Sequence, residues 1–436
     1  MKTQKKASDK ILVVTLGCSK NTVDSEKLMQ QLSANSLLVE HDVENSEART
    51  VFINTCGFIN DAKQESIDTI VDYIKAKQQG SIDNLYVIGC LSERYADFLR
   101  KEMPEVDRFF GVNNLKEIIE SLGYNYKDNL LGERLLSTPS HYAYLKIAEG
   151  CNRKCAFCAI PLIRGSYQSL PVEDLLKEAK LLAAKGVKEL MLIAQDISYY
   201  GNDIYEAPLL AYLVEKLSEL KGIEWIRLHY AYPAGFPKDL LRVMRENPKV
   251  CNYLDIPFQH ISDNMLKIMR RGLNKKATLN LIDDLREQVP GIALRTTLLT
   301  GHPGEMDSDF EELVEFVEKT KFERLGIFTY SHEEDTYAAT KYKDSIPSKL
   351  KMFRANTIME IQQKISAEKN EAKVGLAYKT IIDKKEGDYF IGRTEYDSPE
   401  VDNEVLIHSN KQLKTGEFYS VKIKETNEFD LIGEID

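Results

Sequence analysis

Cys151, Cys155 and Cys158 lie in the segment E-G-C-N-R-K-C-A-F-C-A-I-P. Their C-x3-C-x2-C spacing suits iron–sulfur chemistry. A cubane 4Fe–4S cluster takes a thiolate on each of its irons, so three close thiolates leave one iron open to a small molecule. Phe157, just before the last cysteine, can shield such a cluster. A structural zinc knot is the other reading. Zinc usually pairs C-x2-C or C-x4-C with a second pair, which this segment lacks.

Cys18, Cys56 and Cys90 are far apart in sequence, yet each follows a strand signal: Ile11–Thr15, Val51–Asn54 and Leu85–Ile88. Helical patterns follow, from near Asp24-Ser25 to Ala34, through Ile67, Ile70, Val71 and Ile74, and from about Ser92. Phe109-Phe110-Gly111 suggests a fourth strand and Leu115–Leu122 a further helix. This is a parallel α/β pattern, whose strand ends share one edge where ligands bind. Gly17, Gly57 and Gly89 stand beside the cysteines and permit close backbone approach. The bland reading is three small buried hydrophobes. Three such placements in three units favour a second three-cysteine cluster with an open iron.

The middle region repeats the βα pattern. Strands are expected at Ala143–Ala148, Glu189–Ala194, Trp225–Tyr230, Tyr253–Phe258, Ala293–Leu299 and Arg324–Tyr330, with helices between them. That makes an open, partial (βα)6 barrel with functional residues at the C-terminal strand ends. A linking helix is expected over Ser348–Lys373. Alternating short runs such as Val421-Lys422-Ile423-Lys424 then suggest a small antiparallel β-barrel. The expected domains are 1–137, 138–370 and 371–436.

The chain has 436 residues, 43% hydrophobic, with a formal net charge of −10, unlike a generic nucleic-acid binder. No run approaches a membrane helix. The apolar stretch from Ile11 to Leu16 behind Lys2, Lys5, Lys6 and Lys10 is too short for a signal core. Seven cysteines without a secretory signal imply a reducing, cytoplasmic compartment.

The C-x3-C-x2-C motif with its aromatic resembles the radical S-adenosylmethionine superfamily. The two triads and the β-rich tail together resemble the methylthiotransferase family, which joins a cluster-binding domain, a radical S-adenosylmethionine domain and a TRAM domain. The segments L-G-C-S-K-N-T-V-D-S-E (16–26), N-T-C-G-F-I-N-D-A-K-Q-E-S (54–66) and G-C-L-S-E-R-Y (89–95) are similar to its RimO type. So are A-Q-D (194–196), Y-L-D-I-P-F-Q-H-I-S (253–262), F-T-Y-S-H-E-E-D-T (328–336) and G-R-T-E-Y-D-S-P-E-V-D (392–402). Ser19, where proline is usual, and His302, where phenylalanine is usual, depart from the pattern. The resemblance implies methylthiolation of the β-carbon of an aspartate in small-subunit ribosomal protein S-twelve. It implies two 4Fe–4S clusters and S-adenosylmethionine, one molecule giving the methyl group and another a 5′-deoxyadenosyl radical. It also implies a low-potential electron donor and a substrate met free or within the small subunit. No sequence-specific nucleic-acid contact is expected. The alternatives are a tRNA adenosine methylthiotransferase and a two-cluster electron-transfer protein.

Gln195 and Arg295 are candidate contacts to S-adenosylmethionine or the target carboxylate, with Asp196 beside the first. Strand-end polarity explains them equally well. His260 and Cys251 read as structural, G-H-P-G-E (301–305) equally as a cofactor contact or a strand-to-helix turn, and Arg270-Arg271 as a solvated helix end. No catalytic acid, base or nucleophile is assigned. Residues 371–436 hold 15 acidic residues against 9 Lys plus Arg, a net of −6. That suits docking of a basic protein, with Glu395, Asp397, Glu400, Asp402 and Glu404 as the expected contacts.

Overall fold

The computed structural model describes residues 10–130 and 132–435; the basic segment ahead of Lys10 lies outside them. The N-terminal unit runs β1 (Lys10–Thr15), α1 (Ser19–Ala34), β2 (Leu38–His41), β3 (Thr50–Thr55), α2 (Asn60–Gln78), β4 (Asn84–Gly89), α3 (Cys90–Glu102), β5 (Arg108–Phe109) and α4 (Leu115–Ser121). Its sheet is parallel, in the order β2-β1-β3-β4-β5. Strand alternation sends Ile11 and Val13 into one core and Leu12 into the other, so helices cover both faces. The short edge strand β2 escapes the sequence reading. Helix α1 begins at Ser19, five residues before Asp24, because Cys18 caps it directly after the β1 turn.

The central unit begins with β6 (Tyr142–Lys146), β7 (Ala148–Glu149), α5 (Ile160–Arg164), β8 (Gln168–Ser169), α6 (Val172–Ala184), β9 (Glu189–Ile193), α7 (Leu210–Ser218), β10 (Trp225–Leu228), α8 (Asp239–Glu246) and β11 (Val250–Asp255). It continues through α9 (Asp263–Ile268), α10 (Lys275–Gln288), β12 (Ala293–Thr300), α11 (Asp307–Thr320), β13 (Arg324–Thr329), α12 (Tyr337–Lys341) and α13 (Ser348–Glu371). Six parallel strands, ordered β13-β12-β11-β10-β9-β6, form an open sheet. Helix α1 packs against the β6 edge, where Val23 meets Tyr142, Tyr144, Met191 and Ile193.

The tail forms β14 (Ala377–Glu386), β15 (Tyr389–Thr394), β16 (Val405–His408), β17 (Phe418–Thr426) and β18 (Leu431–Ile435), closed into a barrel. Its ladder is antiparallel except for the parallel β16–β18 pair. The barrel seats itself on the central sheet through buried charge. Glu189 accepts from Arg227 at 2.7 Å and from Arg393 at 2.9 Å, and Arg393 also reaches Asp383 at 2.6 Å. Arg324 pairs with buried Asp397, and Asp402 accepts from Tyr253 Oη at 2.7 Å. This corrects the docking expectation. Asp397 and Asp402 turn inward, and Glu395 accepts the Asn252 N–H at 3.1 Å, so these carboxylates bind the chain to itself.

Burial alone would raise the Glu189, Asp383 and Asp397 carboxyls, yet the facing guanidiniums hold all three below the ordinary range. Groups depressed in this way stabilise the docked state above their unfolded pKa and lose that contribution as pH falls. Calorimetric unfolding should therefore be pH-insensitive down to about pH 5, and barrel docking should weaken below it. Asp397→Asn strands Arg324 and should cost roughly 3–5 kcal/mol at neutral pH.

Candidate active site

Cys18, Cys56 and Cys90 follow β1, β3 and β4, which are neighbours in the sheet. The three loops therefore interlock. A Cβ at Gly17 would stand 2.7 Å from Cys56 Cβ, and one at Gly57 2.8 Å from the Leu91 amide nitrogen. Only glycine fits these two contacts. Burial raises the Cys56 thiol and pushes that of Cys90 up to about 12, and the nearby Cys18 thiol raises both further. Ser19 Oγ and Ser92 Oγ, each near a triad cysteine in sequence, are buried without a hydrogen-bond partner.

Cys151, Cys155 and Cys158 occupy the loop between β7 and α5. Burial pushes the Cys151 thiol up to about 11 and that of Cys158 to about 12, and neighbouring thiols add to both. Donors surround the sulfurs. Arg271 Nη1 lies 3.1 Å from Cys155 Sγ, and the Arg153 N–H lies 3.4 Å from Cys151 Sγ. Tyr232 Oη, 3.7 Å from Cys155 Sγ, donates to the Arg271 carbonyl. Arg271 is thus buried at the thiols, which corrects its reading as a solvated helix end. Nearby hydrogen-bond donors are what the sulfurs of an iron–sulfur cluster use to tune its potential. Two groups of three thiols, each with an arginine beside one of its sulfurs, are a donor set that fits 4Fe–4S clusters.

The two loops meet. Phe58 and Ile59, just past Cys56, line an apolar cavity of about 160 Å³ together with Phe157, Gln259, Phe328 and Tyr330. Arg164, on α5, fastens one triad to the other. It donates to Asn21 Oδ1 at 2.7 Å and to Asp24 and Glu149 at 3.1 and 3.0 Å, and it lies 3.4 Å from Cys90 Sγ. On the far side Glu333 receives Lys63 at 2.9 Å and Arg94 at 2.6 Å.

Gln195 stands at the central loop. Its Nε2 donates to Glu149 at 2.8 Å, and its Oε1 is buried with no partner, which fits a ligand donor. Asp196 holds Arg153 at 2.7 Å. Arg295 departs from expectation. It is the third residue of β12, away from that strand's C-terminal end, and its guanidinium goes to Asp255 and Asp402, each at 3.3 Å. Cofactor contact is therefore withdrawn for Arg295, because docking of the C-terminal barrel engages it. His260 accepts from two backbone amides and faces Glu305 at 3.2 Å, a structural post. Cys251 packs beside Ile381 and Phe418, remote from both triads. Arg164, Arg271 and Lys20 escape sequence reasoning. The one available signal was Lys20's position two residues after Cys18.

Family models match three stretches: "Radical SAM superfamily" over 145–317, "Uncharacterized protein family UPF0004" over 10–111, and "TRAM domain" over 374–435. A Cytophaga hutchinsonii protein named ribosomal protein uS12 methylthiotransferase RimO is 57% identical over 436 residues, covering 100% of both chains. A Bacteroides thetaiotaomicron protein of the same name is 55% identical over 427 residues, covering 98% of each. Among solved structures, the radical S-adenosylmethionine methyltransferase TsrM of Kitasatospora setae aligns with a TM-score of 0.53 at 14% identity. It spans 74% of this chain and 75% of that one, a likeness of fold alone.

The interlocked glycines give a direct test. Gly57→Ala should force the Cys56 loop off the Cys90 turn and lower the iron bound on anaerobic reconstitution, read by iron assay. Cys251→Ala should leave that iron content unchanged.

Proposed function

The chain belongs to the family of ribosomal protein uS12 methylthiotransferases RimO, and we propose that it attaches a methylthio group to the β-carbon of an aspartate in that ribosomal protein. It is a radical S-adenosylmethionine enzyme, with S-adenosylmethionine and 4Fe–4S clusters as its cofactors. Cys151, Cys155 and Cys158 hold the cluster that works with S-adenosylmethionine. Cys18, Cys56 and Cys90 hold the second cluster. When bound, these groups supply a carbon-centred radical and a methylated sulfur, which an unactivated C–H bond requires.

The chain's own residues do the positioning. The observation that carries the reading is one apolar cavity lined both by Phe58 and Ile59, just past Cys56, and by Phe157, next to Cys158. Phe58, Ile59, Phe157 and Phe328 keep water from that space, which protects a radical from side reactions. Arg271 and the Arg153 amide steady the sulfurs of the central triad. Gln195 offers its free Oε1 to S-adenosylmethionine. The segments 1–137, 138–370 and 371–436 act as the three domains. No helix among the described residues is long and apolar enough to cross a membrane. The substrate is reached in the cytoplasm, at the small ribosomal subunit, with electrons from a low-potential donor.

Mass analysis of uS12 from cells with and without this gene tests the reading. The mass of one added methylthio group should vanish with the gene, and an unchanged uS12 mass would overturn it. Reconstituted protein should bind about eight irons. Alanine at all three cysteines of either triad should leave about half. The central triple variant should form no 5′-deoxyadenosine. The N-terminal triple variant should still form it, without transferring a methylthio group.

A further inference from the structure

Lys20 is the second residue of α1, two positions after Cys18, and only 7% exposed. A lysine so largely buried normally places its ammonium on a carboxylate or a set of acceptors. Among the described residues Lys20 has neither an ion pair nor a hydrogen bond. Its Nζ lies over the ring of Tyr230, 2.9 Å from the centroid. A cation–π contact offsets only part of the desolvation.

The surrounding carboxylates are already engaged. Asp24 takes Lys146 and Arg164. Asp255 takes Arg295 and the Tyr230 N–H. Glu400 accepts from Tyr142 Oη at 3.2 Å. His229, beside Tyr230, adds no negative charge.

Tyr230 is held in place at a cost. It has a φ of 62°, a left-handed conformation that a bulky side chain rarely adopts. The neighbouring strand ends enforce it: its N–H donates to Asp255 Oδ2 at 3.2 Å, and its carbonyl accepts from the Ile197 N–H at 3.1 Å. Strain of this kind persists where the surroundings over-determine it, and it concentrates at ligand clamps. Tyr230 sits just past β10, at the barrel mouth, two residues before the Tyr232 that touches Cys155. Lys20 is thus carried on the first turn of α1, just past one triad's Cys18, and seated on a residue past β10 near the other triad.

We propose that the Lys20 ammonium, seated on Tyr230 between the two cysteine triads, receives the side-chain carboxylate of the target aspartate and selects aspartate over its amide. This rests on the function proposed above. The role is binding and orientation: a charge-assisted hydrogen bond holds the carboxylate and so aims the neighbouring β-carbon. It moves no electron and no proton.

The test uses full-length protein, anaerobically reconstituted and loaded with S-adenosylmethionine. The probes are purified uS12 and its target Asp→Asn variant. Wild type should bind the aspartate form roughly 10–100-fold tighter than the asparagine form. Lys20→Met should bind both forms alike, at the weaker level, and Lys20→Arg should restore much of the preference. Iron content and substrate-free formation of 5′-deoxyadenosine should match wild type in both variants. Without substrate, Lys20→Met should melt close to wild type, because the ammonium has no ion pair or hydrogen bond among the described residues to lose.

A Lys20→Met variant that keeps the aspartate preference would overturn the proposal. So would one that loses substrate-free cleavage, which would assign the ammonium to the cofactor, or one that melts well below wild type, which would make it structural. If wild type leaves uS12 unmodified, the functional reading itself fails, an outcome separate from these.

Discussion

The guanidinium of Arg164 is the joint on which the arrangement depends. It follows the central triad by six residues and reaches into the N-terminal unit, touching Asn21, Asp24 and the sulfur of Cys90 while holding Glu149 at home. Burial by itself would make the charge costly, but Asp24, Cys90 and Glu149 together favour it, so its pKa is raised. Lysine could not replace it. A planar fork reaches several acceptors in fixed directions, whereas an ammonium is a point charge on a flexible stem. Asn21 extends the joint, since its amide donates to the Leu16 and Thr55 carbonyls at 2.8 and 3.1 Å, the turns that lead into Cys18 and Cys56. One side chain on the central loop thereby fixes the register of all three N-terminal cysteines against it.

The two ends of the central sheet are built on opposite principles. At the C-terminal ends of the strands the surface is apolar around a cavity, with a few polar groups left unpartnered. At the other end Glu189, Arg227 and Arg324 are each matched to a partner, including Arg393 and Asp397 of the tail. The division follows from what each end must do. A seat for a permanent neighbour can complete every charge pair. A site for a reactant must leave groups open for what arrives, as Gln195 Oε1 and Lys20 are open here.

The cysteines and their glycines were legible because covalent chemistry and steric contact are written into residue type. Cys18, Cys56 and Cys90 follow the adjacent strands β1, β3 and β4, since parallel strands bring their ends to one edge whatever the intervening sequence. The residues that tie the parts together were not legible. Arg164 and Arg271 look like solvent-facing arginines until the Asp24 and Cys155 side chains arrive from distant segments. Arg295 looked like a site residue because it lies on a barrel strand, but its depth along β12 decides its partner, and depth is not a one-dimensional property. The tail's acidity was read as an outward field. Pairing with Arg324 and Arg295 turned part of it inward, an outcome that net charge cannot distinguish.

Backbone strain at the barrel mouth completes the division of labour. Tyr230 and Gln259 lie past β10 and β11, with φ of 62° and 72°. Tyr230 is clamped by the Asp255 carboxylate and the Ile197 N–H, and Gln259 by ladder-like bonds to β12. The Gln259 N–H goes to the Thr297 carbonyl at 2.9 Å, and its own carbonyl receives the Leu299 N–H at 2.7 Å. Left-handed backbone at a non-glycine residue costs on the order of 1–3 kcal/mol. A relaxed mouth would be reached if these residues were glycine or if the strands ended sooner. The sheet instead carries the strain, because its hydrogen bonds run one step past the regular ladder at Gln259 and the end of β11 grips Tyr230 through Asp255. These bonds put Gln259 against the cavity wall and the Tyr230 ring beneath Lys20. One parallel sheet thus brings the N-terminal cysteine loops side by side, and a second supplies the stiffness that holds side chains facing them.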